Sequence, residues 1–109
     1  MLMSTTYTLP GYEITELMGV VRGNTVRARH VGKDIVAGLR NIVGGEIVEY
    51  TKLLAESREQ AVDRMIANAK EMGADGVVGV RFVTSTVSQA AAELLVYGTA
   101  VKLKQSDSA

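Results

Sequence analysis

The segment from Glu46 to Met72 constrains this chain more than any other. Ile47, Tyr50, Leu54, Ala61, Met65, Ala69 and Met72 recur at helical steps, with Arg58 the polar occupant of that line, and Leu53, Val62 and Ile66 widen the stripe. This periodicity predicts an amphipathic helix about 40 Å long, which must lay its apolar side on something else. Glu46 and Glu49 in the first turn and Lys70 in the last suit the helix dipole, and Gly73 can supply the left-handed stop. Ser57 followed by Gln60 resembles a capping box, so a break near Glu56, giving two helices, stays open.

The surface for that helix is predicted on either side of it. Tyr12 to Arg29 is rich in β-branched residues and is interrupted by Gly19 and by a Gly23-Asn24 pair that suits a turn or bulge, so it reads as one long strand or a two-part ribbon. Val31 to Val43 spaces Ile35, Leu39 and Ile42 at helical steps, with Asp34 as a cap, which predicts a short helix ending at Gly44-Gly45. Beyond the Gly73 to Gly76 turn, Val77 to Val83 and Leu94 to Leu103 read as strands. Setting Gly79 against Gly98 makes them an antiparallel hairpin with Val80 opposite Tyr97 and Phe82 opposite Leu95, turning around Ser88-Gln89. The last strand is apolar on both faces, with Leu95, Tyr97, Val101 and Leu103 one way and Leu94, Val96 and Ala100 the other. One helix covers one face, so the other is expected to meet the short helix or a second copy, and a homo-oligomer follows.

At 109 residues the chain is expected to form one domain, with an ordered core over about residues 8 to 104 and a polar tail from Gln105 to Ala109. Ala and Val supply just over half of its apolar residues and only five side chains are aromatic, which predicts a thin core dependent on close backbone approach or on neighbours. Twelve basic and twelve acidic residues cancel, so a wholesale electrostatic hold on nucleic acid or acidic lipid is not expected. Met1 to Pro10 lacks the basic and apolar segments of a signal peptide and no window approaches the roughly 18 apolar residues of a membrane helix, so a soluble, cytoplasmic protein is expected.

The absence of Cys excludes disulfides, thiolate nucleophiles, thiolate metal sites and iron-sulfur clusters, and a single His leaves little for imidazole chemistry. His30 and Asp34 have a ligand-like spacing but no third partner nearby, so no metal ligand is assigned. Arg22, Arg27, Arg29, His30 and Lys33 form a basic stretch that could hold a phosphate or carboxylate, or could equally be an ion-paired face between subunits; no aromatics are interleaved for base stacking. Gly44-Gly45 reads as helix capping, because no phosphate-loop Lys-Ser/Thr follows it. Arg81, Glu93, Glu13 and Glu16 could seed a buried polar site but read as structural ion pairs, and no Ser or Thr has the surroundings of a nucleophile. Tyr50 and Tyr97 read as core or interface anchors, and Met65 and Met72 as core filler. No catalytic residue and no cofactor is assigned.

The runs GYEITELMGVVRG, DIVAGLRNIVGGEIVEYTKLLAESREQAVDRM, GADGVVGVRF and ELLVYGTAV, in that order across about residues 8 to 104, closely resemble the YbjQ-like family of small prokaryotic proteins, which carries a heavy-metal-binding label. The resemblance implies an α+β, dodecin-like β-α-β-β subunit with the long helix across a three-stranded antiparallel sheet, and a ring-shaped, pentameric assembly. The short helix over Val31 to Val43 would be an addition to that plan. The segment from Thr86 to Ala92 is shorter than in many relatives. The metal label finds no support in these residues, since a soft metal prefers thiolates or several imidazoles. The expected function is therefore that of a non-enzymatic homo-oligomeric module binding a small ligand or partner, with metal binding or an enzyme site between subunits as the alternatives.

Overall fold

The computed structural model describes residues 1–28, 42–43, 46–88 and 91–106. In chain order the elements are β1 (Leu2–Met3), β2 (Tyr12–Ala28), β3 (Ile42–Val43), β4 (Glu46–Ile47), α1 (Val48–Glu71), β5 (Gly76–Ser88) and β6 (Ala91–Gln105). The fold is α+β: α1 lies on a four-stranded mixed sheet in the order β1-β5-β6-β2, while β3 and β4 pair separately. The antiparallel core of the sheet, β5-β6-β2, is the expected one. The parallel strand β1, two residues beside Gly76 and Val77, was not legible in the sequence.

α1 is one unbroken helix of 24 residues, so Ser57 and Gln60 lie inside it and do not mark a break. Its buried line is Ser57, Ala61, Met65 and Ala69, a strict four-residue spacing, and this corrects the expected stripe: Leu54, Arg58 and Met72 are exposed. Glu46 belongs to β4 and precedes the helix. The helix ends as expected, because Gly73, at φ 81°, donates to the carbonyl of Lys70 while Ala74 donates to that of Ala69.

β2 is a single strand of 17 residues, with Gly23 and Asn24 paired to Val96 and Leu95 inside it. The glycine serves a different need from a turn. A Cβ placed on Gly23 would lie 2.1 Å from the carbonyl oxygen of Ala61 and 2.4 Å from the nitrogen of Met65, so α1 rests directly on the strand's backbone there. Around this contact Val21, Val77, Val80, Leu94, Val96 and Ala100 join Ala61, Met65 and Ala69 in the core. Thr25 is also buried and its hydroxyl donates to the Ser57 carbonyl at 3.3 Å. Small residues thus trade core volume for close backbone packing, as the Ala/Val-rich composition predicts.

The hairpin register agrees with expectation at its base and departs above it. Gly76, Val77 and Val78 pair with Val101, Ala100 and Thr99, the predicted alignment, but a bulge follows and Arg81, Phe82 and Val83 face Tyr97, Val96 and Leu95. The physical cause is Gly79, whose φ of 63° inserts the extra residue. The last pair, Ser88 with Ala91, encloses the expected turn position, of which residue 89 lies outside the described residues. So do residues 31–41 of the expected short helix. Ile42 and Val43 instead pair with Ile47 and Glu46, so the last two residues expected as helix are strand.

The molecule measures 57 × 27 × 16 Å with a radius of gyration of 17.8 Å, whereas a compact chain of this length has about 13 Å. The long dimension is that of β2, since 17 residues at about 3.3 Å each span some 56 Å. The three long strands therefore extend past the ground that α1 covers.

Candidate functional site

Alternation along the strands decides which side chains share a face. Val21, Gly23 and Thr25 point toward α1, and so do Leu94, Val96 and Ala100 of β6. Their neighbours point the other way, away from α1: Leu17, Val20, Arg22, Asn24 and Val26 on β2, then Glu93, Leu95 and Tyr97 on β6, then Arg81 and Val83 on β5. Leu17 is 71%, Val20 74% and Val26 55% exposed. This is the second apolar face expected from the sequence of β6.

The lower part of that face has a cover of its own. Ser4, Thr6 and the strand-like start of the chain hydrogen-bond along β5, through Ser4 N to Val77 O, Gly79 N to Thr6 O and Val80 N to Ser4 O. Tyr7 sits against the bulge: a Cβ on Gly79 would be 2.9 Å from its ring. Arg81 locks the segment down, donating to the Thr5 carbonyl at 2.8 Å and the Tyr7 hydroxyl at 3.0 Å, with its guanidinium carbon 5.4 Å from the ring centre. The charge that interrupts an apolar strand is thus a structural latch.

The upper part is open. There Arg22, Asn24, Glu93 and Leu95 line a depression of about 280 Å³. The Asn24 amide donates to the half-buried Glu93 carboxylate at 3.1 Å and fixes it in place. The exposed Arg22 guanidinium makes no hydrogen bond or ion pair among the described residues, while its main-chain carbonyl accepts from Asn68 of α1 at 2.7 Å. Such a depression offers one cation, one oriented carboxylate and an apolar wall. On the opposite side, between α1 and β5, a groove of about 570 Å³ is lined by Arg58, Glu59, Val62, Asp63 and Phe82, with Phe82 47% exposed.

The residues singled out in the sequence are partly brought together. Arg22 joins Glu93 at the depression. Arg27 pairs with Ala92 in the backbone ladder. Arg29, His30, Lys33 and Asp34 lie outside the described residues, so the ligand-like His30 and Asp34 spacing does too. Glu13 reaches Lys104 at 3.9 Å on the exposed surface near the far end of β2, and Glu16 pairs with Lys102 in the ladder. Arg81, Glu93, Glu13 and Glu16 therefore do not converge on one site. Asn24 and Phe82 were missed as site residues, the first because Gly-Asn reads locally as a turn; the two-residue alternation from Val20 to Val26 was the signal that places it beside Arg22.

Among the described residues a heavy-metal site finds no donor set. Among the described residues no three His, Cys, Asp or Glu side chains cluster, and the whole chain has no Cys. The Asn24 amide and Arg22 stand with the Glu93 carboxylate at the depression, a lining that suits a zwitterion better than a soft cation. Among the described residues, no helix is long and apolar enough to cross a membrane.

Comparison with known proteins places the chain among relatives spread over two domains of life. A family model described as "YbjQ_1: Putative heavy-metal-binding" matches residues 1–104. The UPF0145 protein of Archaeoglobus fulgidus is 61% identical over 103 residues, covering 94% of this chain and 95% of its own. That of Psychromonas ingrahamii is 56% identical over 105 residues, covering 96% and 100%. Among solved structures, a protein of unknown function from Pediococcus pentosaceus, of the DUF74 family, superposes with a TM-score of 0.67 at 18% identity, covering 95% of this chain and 98% of its own.

Proposed function

This chain belongs to the YbjQ family, and on that premise we propose that it is a non-enzymatic, homo-oligomeric binding module whose copies meet through the open side of the sheet. The observation that carries this reading is that face: Leu17, Val20 and Val26 stand exposed in a row on strands that extend past the helix. Exposed apolar side chains on an open sheet face favour association, since covering them removes apolar area from water at about 25 cal/mol per Å². A radius of gyration well above that of a compact chain favours the same reading.

The edges of the sheet are less suited to joining copies than its face. Arg64 donates to the Asn24 carbonyl at 2.6 Å and Asn68 to that of Arg22 at 2.7 Å, so side chains of α1 occupy the outer edge of β2. Register shifts near Thr15 and Met18 bulge the same edge lower down. Both devices discourage strand addition. At the other edge β1 and the residues after it occupy the start of β5.

Each copy brings Arg22, Asn24 and Glu93 to the contact, so a small ligand with anionic and hydrogen-bond-donating groups is the class such a junction would hold. A ring of five is the assembly that the family resemblance implies. Light scattering across micromolar concentrations tests the reading: a mass that is a multiple of 11.6 kDa, five-fold for the ring, supports it, and a mass of one chain throughout removes it. Metal binding as the family's label has it is tested by equilibrium dialysis against Zn²⁺, Cu²⁺ and Ni²⁺. The donor chemistry predicts no stoichiometric uptake; uptake abolished by His30→Ala would overturn that expectation.

A further inference from the structure

Among the described residues two apolar surfaces stand uncovered, on opposite sides of one sheet. The first is the open face around the Arg22 and Glu93 depression, and the second is the groove between α1 and β5 with Phe82 and Val62 as its apolar lining. Two unlike surfaces on one chain favour a head-to-tail contact, which repeats from copy to copy and closes a ring when its rotation allows. A face meeting its own image would instead leave the groove and Phe82 in water.

Each surface carries both signs of charge, so one orientation of a contact pairs opposite charges across it. The open depression carries one cation, Arg22, and one anion, Glu93; the groove carries one cation, Arg58, and two anions, Glu59 and Asp63. Among the described residues Arg22, Arg58, Glu59 and Asp63 have no side-chain hydrogen bond or ion pair, and Glu93 is held by Asn24 alone. Unpartnered charges beside apolar surface on a formally neutral chain are suited to partners on another copy.

Resting on the oligomer reading above, we propose that the α1–β5 groove of one copy receives the open sheet face of the next, with Asp63 against Arg22 and Arg58 against Glu93. The opposite orientation would set Arg58 beside Arg22 and a groove carboxylate beside Glu93, so like-charge repulsion selects one direction of packing. Phe82 and Val62 cover the exposed valines of β2, and the partner's Asp63 closes the depression that Arg22 and Glu93 leave open. The ligand site is then shared between copies and is incomplete on one chain.

The test is a charge exchange followed by light scattering at about 10 µM, with circular dichroism to verify that each variant is folded. Arg22→Glu and Asp63→Arg are both surface substitutions, and each is expected to weaken assembly by at least about tenfold, which shows as a fall in mass toward 11.6 kDa. In an equimolar mixture of the two variants, contacts between unlike variants pair opposite charges and contacts between like variants clash, so the mixture regains mass only in part when the ring is odd-membered, whereas the double variant Arg22→Glu with Asp63→Arg restores the pair at every contact and the wild-type mass. Phe82→Ser is a third probe, expected to lower the mass with the fold kept. If the single variants keep the wild-type mass, or if the double variant stays dissociated, the proposed contact is wrong although the oligomer reading stands. If wild-type protein is itself monomeric at this concentration, the reading beneath it fails.

Discussion

The two faces of the sheet are built from alternate residues of the same strands, yet they follow opposite rules. On the side toward α1 the contacting positions are small: Gly23, Thr25 and Val21 pack with Ala61, Ala69 and Ser57, with Met65 the largest side chain fully buried there. On the other side Leu17, Val20, Val26 and Val83 are larger and stand in water. What selects the covered face is closeness of approach, because a helix can touch a strand's backbone only where side chains are short, and dispersion contacts fade steeply once a gap opens. Among the described residues the bulky side chains of the open side meet no such surface.

That contrast is breakable by substitution, and the effects should scale with how tightly each face is packed. The largest is expected from Gly23→Val, since even the first carbon would collide with the backbone of Ala61 and Met65. Displacing the helix should lower stability by more than about 3 kcal/mol, read as a large fall in the urea midpoint. Met65→Ala on the same side removes a wholly buried side chain and should lower stability by about 3 kcal/mol in the same titration. Thr25→Val keeps the shape but deletes the hydrogen bond to Ser57 O and leaves that helical carbonyl with one fewer donor, for a loss of about 1 kcal/mol. At the small end, Val20→Ser on the open face should change monomer stability by no more than about 0.5 kcal/mol while lowering the assembled mass. A loss of several kcal/mol from Val20→Ser with no change of mass would show that the two faces do not differ as described.

The N-terminal segment sharpens the comparison, because it covers part of the open side without the close packing of α1. Arg81 holds it through Thr5 O and the Tyr7 ring and hydroxyl, all on the exposed surface. Arg81→Met should therefore increase amide exchange in residues 4–7 while leaving exchange in the core strands unchanged, a local effect of about 1 kcal/mol.

Much of the fold was legible because its signals are local. The helical spacing from Ala61 to Ala69, the Gly73 stop, the β-branched strands and the two apolar faces of β6 all lie within short windows. Arg58 and Leu54 were placed on the wrong side of the helix because several lines of a 3.6-residue pattern pass through the same alanines, and contact with Gly23 and Thr25 picks out the line through Ser57. The hairpin alignment failed above Gly79 because one positive φ inserts one residue, and a one-residue slip reverses every face beyond it. For the site, the basic stretch pointed to Arg22, but its neighbours Asn24 and Glu93 are 69 positions apart in sequence and only the β2–β6 ladder brings them together.

The sequence by itself determined the kinds of elements, the thin small-residue core and the absence of thiolate chemistry, because propensity, periodicity and composition act within a few residues of chain. The tertiary structure alone decided which helical line is buried, which strand positions touch, that Arg81 is a latch, and that one sheet face is left open. Those outcomes depend on backbone approach and register between segments far apart in the chain, and neither quantity is written into any single segment.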